Sequence, residues 1–356
     1  MTSQVLSRRT RGAALLCSAA AVCALAIPQA GSAADGPTPR PAPLPAAAAA
    51  PQPPAFVHLP ADQAAHPSAD SEWWYTVGHL YSHGHEYGYE VELVNDGKVQ
   101  LSVTDVTGGQ YYTRSFDYED GQYSISSQTL DVSMPSAALS GPMNDMHLTA
   151  TLPHATLDLH LSAKGPALYN NGNGVFPFLG TYSYYYSLPD LRTTGTLTVD
   201  GRPSQVTGSS WLDRQWGSSW DWTVPQRWTW MAVQLPDGEY INAWDMVTAQ
   251  DDQAWATVLH RDGSQSVVTV RPLADSATDF GTSPTTGQRY AGRWTLEIPA
   301  LKTRLTVKAT PTLQEVDGPQ QLGPNEAAST VTGRYRGEQV TGRAYVEQFG
   351  NWHPQP

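Results

Sequence analysis

Apolar and polar positions alternate with a period of two along most of the chain beyond residue 56. In "EYGYEVELV" (86–94), "ATLDLHLSA" (155–163), "GTLTVDG" (195–201) and "TRLTVKAT" (303–310) the apolar side chains fall at every second position. That spacing puts them on one face of a strand. Asp-Gly turns punctuate the runs at Asp96-Gly97, Asp120-Gly121, Asp200-Gly201, Asp237-Gly238 and Asp262-Gly263. Short alternating runs between such turns predict antiparallel sheets or barrels. No stretch sustains a helical apolar period, and the Gly-rich segments do not open a helix after a strand, so no nucleotide-binding loop is supported. The expected fold class is all-β.

The pattern repeats once. "EWWYTVGHLYSHGHEYGYEVELV" from Glu72 and "RWTWMAVQLPDGEYINAWDMV" from Arg227 both open on a tryptophan-rich strand, turn through Gly and resume with Glu-Tyr. The offset is 155 residues at Trp73 and Trp228, about one domain length. Two related β units are expected, at 56–205 and 206–356. Residues 35–55, rich in Pro and Ala, read as a disordered or polyproline-like linker.

Residues 1–34 carry an export pattern: Arg8, Arg9 and Arg11, an apolar run from Ala13 to Ile27, then small residues ending near Ala33 or Ala34. This reads as a signal peptide, with a twin-arginine hint, and not as a membrane anchor. The mature chain is expected to be exported, with no transmembrane span. Cleavage removes three arginines, taking the formal charge from −12 to −15. It also removes Cys17 and Cys23, the only cysteines. Thiolate catalysis, zinc–thiolate sites and iron–sulfur clusters are then excluded, and an acidic chain without a basic stripe is a poor nucleic-acid binder.

Candidate chemistry gathers where aromatic and charged residues crowd. "SSWLDRQWGSSWDW" (209–222) packs four tryptophans with Asp213, Arg214 and Gln215. By strand period Trp211, Asp213 and Gln215 share one face, and Leu212, Arg214 and Trp216 the other. Glu72 beside Trp73 and Trp74 is either a general acid with a burial-raised pKa or a strand-edge carboxylate bonded to backbone or arginine. Tyr182, Tyr184 and Tyr186 share one face of their strand and could line an apolar pocket or cover a barrel exterior. His79, His83 and His85 read mainly as turn histidines, because His83-Gly84 lies where the hairpin turns; no metal site and no cofactor are assigned. No Gly-x-Ser-x-Gly elbow is present, although a serine triad can be assembled on any fold.

The motifs "SEWWYTVGHL", "GTYSYYYSLPDLRTTGTLTVDG", "VTGSSWLDRQWGSSWDW" and "WTWMAVQLPDGEYI" follow in an order that resembles the AttH-like and carotenoid 1,2-hydratase family, also labelled lipocalin-like or secreted hydrolase, across residues 56–350. The resemblance implies two lipocalin-like β-barrels in tandem and cofactor-free hydratases or cyclases, including Diels–Alderase-type enzymes, acting on apolar polyunsaturated molecules. It places the hydratases' catalytic His at Arg214, their Trp at Trp216, and a Tyr-x-Asp motif on Ala243-Trp244-Asp245. Arginine cannot donate a proton at ordinary pH, so it suits polarising an oxygen function. The expected catalytic residues are Arg214, Asp245 and Gln215. The expected substrate wall is Glu72, Trp73, Trp74, Tyr184, Tyr186, Asp213, Trp216, Trp228 and Trp244, with Asp213 orienting Arg214 or a turn. The expected function is a cyclase, isomerase or hydratase of a polyketide or terpenoid; a carrier of hydrophobic molecules and a secreted hydrolase are the alternatives.

Overall fold

Two antiparallel sheets carry most of the described residues. The computed structural model describes residues 56–223, 226–248, 252–316 and 324–350. The expected signal peptide and linker lie outside the described residues. In the first sheet the strands Gln110–Asp117, Lys98–Asp105, His85–Val94 and Ser71–Ser82 lead to Arg202–Gly217, then to Thr181–Val199, Ala155–Ala163 and Met146–Leu152, with shorter strands beyond. The second sheet runs Gln265–Thr269, Asp252–Leu259, Glu239–Thr248, Gln226–Leu235, Glu338–Phe349, Asn325–Tyr335, Thr303–Ala309 and Arg293–Ile298. In each, the last long strand returns to pair with the first. Each sheet curls around its own apolar core into a lipocalin-like half-barrel.

The 155-residue repeat is visible in this topology. Trp73, Tyr75 and Val77 face the same way as Trp228, Trp230 and Ala232, and all six meet in a third apolar cluster between the two sheets. The sheets therefore pack outer face to outer face. The strand expected to open the second unit hydrogen-bonds wholly within the first sheet. The division between sheets falls after Gly217, not at 205/206, because Arg202–Gly217 is the strand that pairs back to Ser71–Ser82.

At Gly88 the contact between the sheets is close enough to exclude a methyl group. A Cβ at Gly88 would lie 2.4 Å from the Ala328 Cβ, a backbone-adjacent atom that cannot swing away. Gly88→Ala is expected to destabilise the protein by about 1–3 kcal/mol through overpacking, measurable as a lower urea midpoint. An unchanged midpoint would mean that the sheets can separate freely.

Candidate active site

The signature strand Arg202–Gly217 divides its side chains between two environments, as its period requires. Leu212, Arg214 and Trp216 point inside the first sheet's curl. Trp211, Asp213 and Gln215 lie on the outer face, with Trp211 in the cluster between the sheets. Asp213 therefore does not orient Arg214, contrary to expectation: adjacent strand residues face opposite ways.

Arg214 is fully buried. It donates to Glu72 Oε1 at 2.6 Å, to the Ala64 carbonyl at 2.9 Å and to the Trp73 carbonyl at 2.9 Å. Its guanidinium carbon sits 4.1 Å from the Trp74 ring centroid and 5.7 Å from that of Trp216. Cross-strand register creates this arrangement by setting Trp74 opposite Arg214 and Glu72 opposite Trp216. Glu72 also accepts from the His66 backbone at 2.8 Å and contacts His66 Nδ1 at 2.7 Å. Burial opposes its charge, yet the His66 and Arg214 bonds together hold the carboxyl below its usual range. A general acid needs the opposite shift, so that reading of Glu72 is corrected. His66 stacks on Trp216 at 4.1 Å, and Tyr184 stacks on Trp216 at 5.5 Å. The tyrosine row runs from exposed Tyr182 through Tyr184 to fully buried Tyr186.

The layer between the sheets has different chemistry. On the first sheet's outer face, register aligns Ser187, Asp213, Tyr75 and Glu92 in one row. The next row runs Trp211, Val77, Glu90 and Ser102. On the second sheet one row holds Glu326, Glu347, Trp230, Trp244 and Trp255. Tyr75 donates to Glu326, and Tyr185 donates to Asp213. Trp211 Nε1 reaches Asp213 at 2.6 Å, and Asn242 donates to the Tyr185 hydroxyl at 2.9 Å.

These carboxyls hold their protons unusually well. Burial pushes Asp213 up to about 7 and Glu92 up to about 7. Burial, reinforced by Glu92, takes Glu347 up to about 8. Burial, then neighbouring carboxylates, holds Glu90 and Glu326 well above the usual range. Among the described residues, Glu90 Oε2 and the Tyr111 and Tyr345 hydroxyls are buried without a hydrogen-bond partner. Buried polar atoms are nearly always bonded, so this concentration marks a place where a polar group is meant to be met.

The expected site residues therefore separate. Glu72, Trp74, Tyr184, Tyr186, Arg214 and Trp216 belong to the first curl, while Trp73, Trp228 and Trp244 join the layer between the sheets. Gln215 is buried there too, its Nε2 without a partner among the described residues. Asp245 lies on the opposite face from Trp244, where its Oδ2 accepts the Ala274 backbone N–H at 2.9 Å. Arg214, Gln215 and Asp245 are not brought together. Sequence reasoning missed Glu90, Glu92, Glu326 and Glu347. His83 and Gly84 do form the hairpin turn, with φ of 47° and 85°, whereas His79 is buried against Glu86 Oε1 and the Ala344 carbonyl. Among the described residues no three His, Asp or Glu side chains converge to hold a metal ion.

The raised carboxyls fix the direction of pH dependence. Unfolded, Glu347, Glu92 and Asp213 lose protons near their ordinary values; folded, they keep them to about 7 or 8. The folded state binds more protons in that window, so stability falls as pH rises through it. Glu86 acts oppositely: although burial opposes its charge, His79 and Arg343 bring it down to about 2. Its contribution is present above 4.5 and lost as pH falls toward 2. The melting temperature is expected to peak near about pH 5 and to drop by several degrees by about pH 8.5, read by thermal scans across pH. Glu347→Gln should flatten the alkaline limb; an unchanged limb would contradict the assignment.

Comparison with known proteins gives consistent matches. A family model described as AttH-like matches residues 50–351. Dehydratase asqC of Emericella nidulans is 28% identical over 289 residues, covering 69% of this chain and 82% of that protein. Kievitone hydratase of Fusarium solani subsp. phaseoli is 28% identical over 133 residues, covering 35% of this chain and 37% of that protein. The crystal structure of kievitone hydratase from Nectria haematococca has the same fold, with a TM-score of 0.72 at 20% identity, over 83% of this chain and 94% of that one.

Proposed function

The chain belongs to the AttH-like family, and from that premise we propose that it is a hydro-lyase acting on an oxygen-bearing, unsaturated secondary metabolite. Its relatives include a dehydratase and a hydratase, so enzymatic activity on a small molecule is the common ground. The observation that carries the finer reading is the layer of proton-holding carboxyls between tryptophan-rich sheet faces.

Adding or removing water needs one group that gives a proton and another that takes one. Carboxyls whose environments push their proton affinities apart can divide these roles. Glu90, whose carboxyl burial and Glu92 hold well above the usual range and whose Oε2 has no hydrogen-bond partner among the described residues, is the donor in this reading. Glu347 and Asp213 change charge near neutrality and are the acceptors. A carboxylic acid with a raised pKa is a weak acid and does not protonate an isolated alkene well. It suffices for a substrate activated by a carbonyl, where a base removes the proton next to the carbonyl and the acid protonates the departing hydroxyl. The substrate class proposed is therefore a β-hydroxy carbonyl compound or its unsaturated product, with a polyketide or terpenoid body against Trp228, Trp230 and Trp244. No cofactor takes part in this scheme.

The reading is tested by incubating the purified protein with extracts containing such compounds and following masses. Gain or loss of one water, with deuterium from D2O entering beside the carbonyl, supports it. A product of unchanged mass would indicate cyclisation or isomerisation instead, and a ligand retained unconverted would leave a carrier. Export with cleavage near Ala33 or Ala34 is part of the proposal, and N-terminal sequencing of protein from the culture medium checks it.

A further inference from the structure

We infer that the mouth of the second sheet's curl carries a separate active site, a Ser266–His260–Glu239 relay that hydrolyses small carboxylic esters. The three side chains come from three neighbouring positions in the sheet. Glu239 begins the strand Glu239–Thr248, His260 follows the strand Asp252–Leu259, and Ser266 lies in the strand Gln265–Thr269. His260 Nε2 is 2.9 Å from Ser266 Oγ, and His260 Nδ1 is 3.1 Å from Glu239 Oε2. That is the ordering of nucleophile, base and orienting acid required of an activated serine.

The surroundings fix this geometry. The hairpin carrying His260 and Ser266 is closed by His260 N to the Ser264 carbonyl at 2.8 Å, and Asp262 Oδ1 accepts from the Ser264 backbone and hydroxyl at 2.9 and 2.6 Å. Glu239 accepts from the Tyr335 hydroxyl at 2.5 Å and the Arg261 backbone at 3.4 Å. Despite burial, the Tyr335 and His260 bonds hold its carboxyl below the usual range, so it remains the charged partner. With Glu239 accepting from Nδ1–H, Nε2 is left to accept from the serine.

Arg336 does not compete for Nδ1. Its Nη2 lies 3.0 Å from Nδ1 and 3.5 Å from Nε2. A donor in the ring plane along the Nδ1 lone pair would lie much farther from Nε2, so the guanidinium sits over the ring face. Glu239 and His260 border an open hollow of about 380 Å³, lined also by Arg261, Asp262, Ser264 and Arg336, and Ser266 lies beside it through His260 Nε2. Two guanidinium groups there supply positive charge for an oxyanion. Ser266 is itself partly exposed.

In the reaction Ser266 Oγ bonds to the acyl carbon while its proton passes to His260 Nε2. The tetrahedral adduct expels the alcohol, which takes that proton. Water then adds to the acyl-serine, giving its proton to His260, and the acid leaves as Ser266 recovers its hydrogen. The sum is ester plus water to acid plus alcohol.

The test uses a fluorophosphonate probe and p-nitrophenyl acetate on the purified protein. The expected result is a covalent adduct mapped by peptide mass spectrometry to Ser266. Hydrolysis should fall by about 10²–10⁴-fold in Ser266→Ala and in His260→Gln, with the Ser266→Ala melting curve unchanged. A folded wild-type protein that takes no adduct, or a Ser266→Ala variant that is labelled or hydrolyses equally well, overturns the proposal. Neither readout uses a polyunsaturated substrate, so the outcome is independent of the hydro-lyase reading.

Discussion

Replacing Arg214 by alanine is expected to destabilise the protein by about 3–5 kcal/mol, because the substitution leaves Glu72 buried without its counter-charge. For a chain of this size that is a fall in melting temperature of roughly 6–15 °C. Glu72 is 1% exposed and Arg214 0%, so water cannot replace the lost partner. The His66 backbone N–H and ring would remain on Glu72, which places the loss at the lower end of that range. The change also releases two backbone carbonyls, Ala64 and Trp73, from their donor, and removes the cation between Trp74 and Trp216. Arg214→Lys should recover only part of the loss, because one ammonium cannot span three acceptors with the geometry of a planar fork. Removing both charges, with Arg214→Met and Glu72→Met, should be milder than Arg214→Ala, since no unpaired ion is left behind. Urea and thermal unfolding measure all three. A variant that keeps its melting temperature but loses turnover would make Arg214 catalytic, and the brace described here would be wrong.

The alternation of the chain made the two all-β units and the paired hairpins legible, because burial of one strand face leaves a period of two. It also separated the two faces of the signature strand correctly: Arg214 with Trp216, Asp213 with Gln215. It could not reveal that both faces are buried. In "EYGYEVELV" the glutamates alternate with Tyr89, Val91 and Leu93, and such a run reads as one buried and one solvated face. The second sheet covers the polar face, so Glu90 is as inaccessible as Val91. Glu347 in the last strand is partly buried on the same layer, its row continued by Trp230 and Trp244. Register across sheets separated by more than a hundred residues decides this, and no local pattern encodes it. Grouping Arg214 with Asp245 failed for a related reason: each lies on a strand whose other face forms the layer between the sheets. The Ser266–His260–Glu239 set was illegible because it depends on where a strand start, a strand end and a turn meet.

Glu90→Gln is expected to lower hydro-lyase turnover by about 10²–10⁴-fold, the usual weight of a positioned general acid, while leaving the protein as stable as before or more so. The two effects separate because of the proton. Burial, then Glu92, holds the Glu90 carboxyl well above the usual range, so an uncharged amide of the same shape stands in for the protonated acid. Loss of the acid oxygen removes the donor without creating an unpaired ion, unlike the change at Arg214. At higher pH the comparison should favour the variant: the wild-type carboxyl must eventually ionise beside Glu92, Glu347 and Glu326, whereas the amide cannot. Its melting temperature should therefore exceed the wild type's on the alkaline side. Glu347→Gln provides the complementary measurement. Glu347 titrates at about 8, so a reaction that needs its carboxylate rises with pH through that value, and the variant should lose that limb of the pH–rate profile. Steady-state rates across pH, taken beside thermal scans of the same samples, read both. Full turnover in Glu90→Gln would remove the acid from this layer. A loss of turnover that merely tracks a loss of stability would reduce Glu90 to packing.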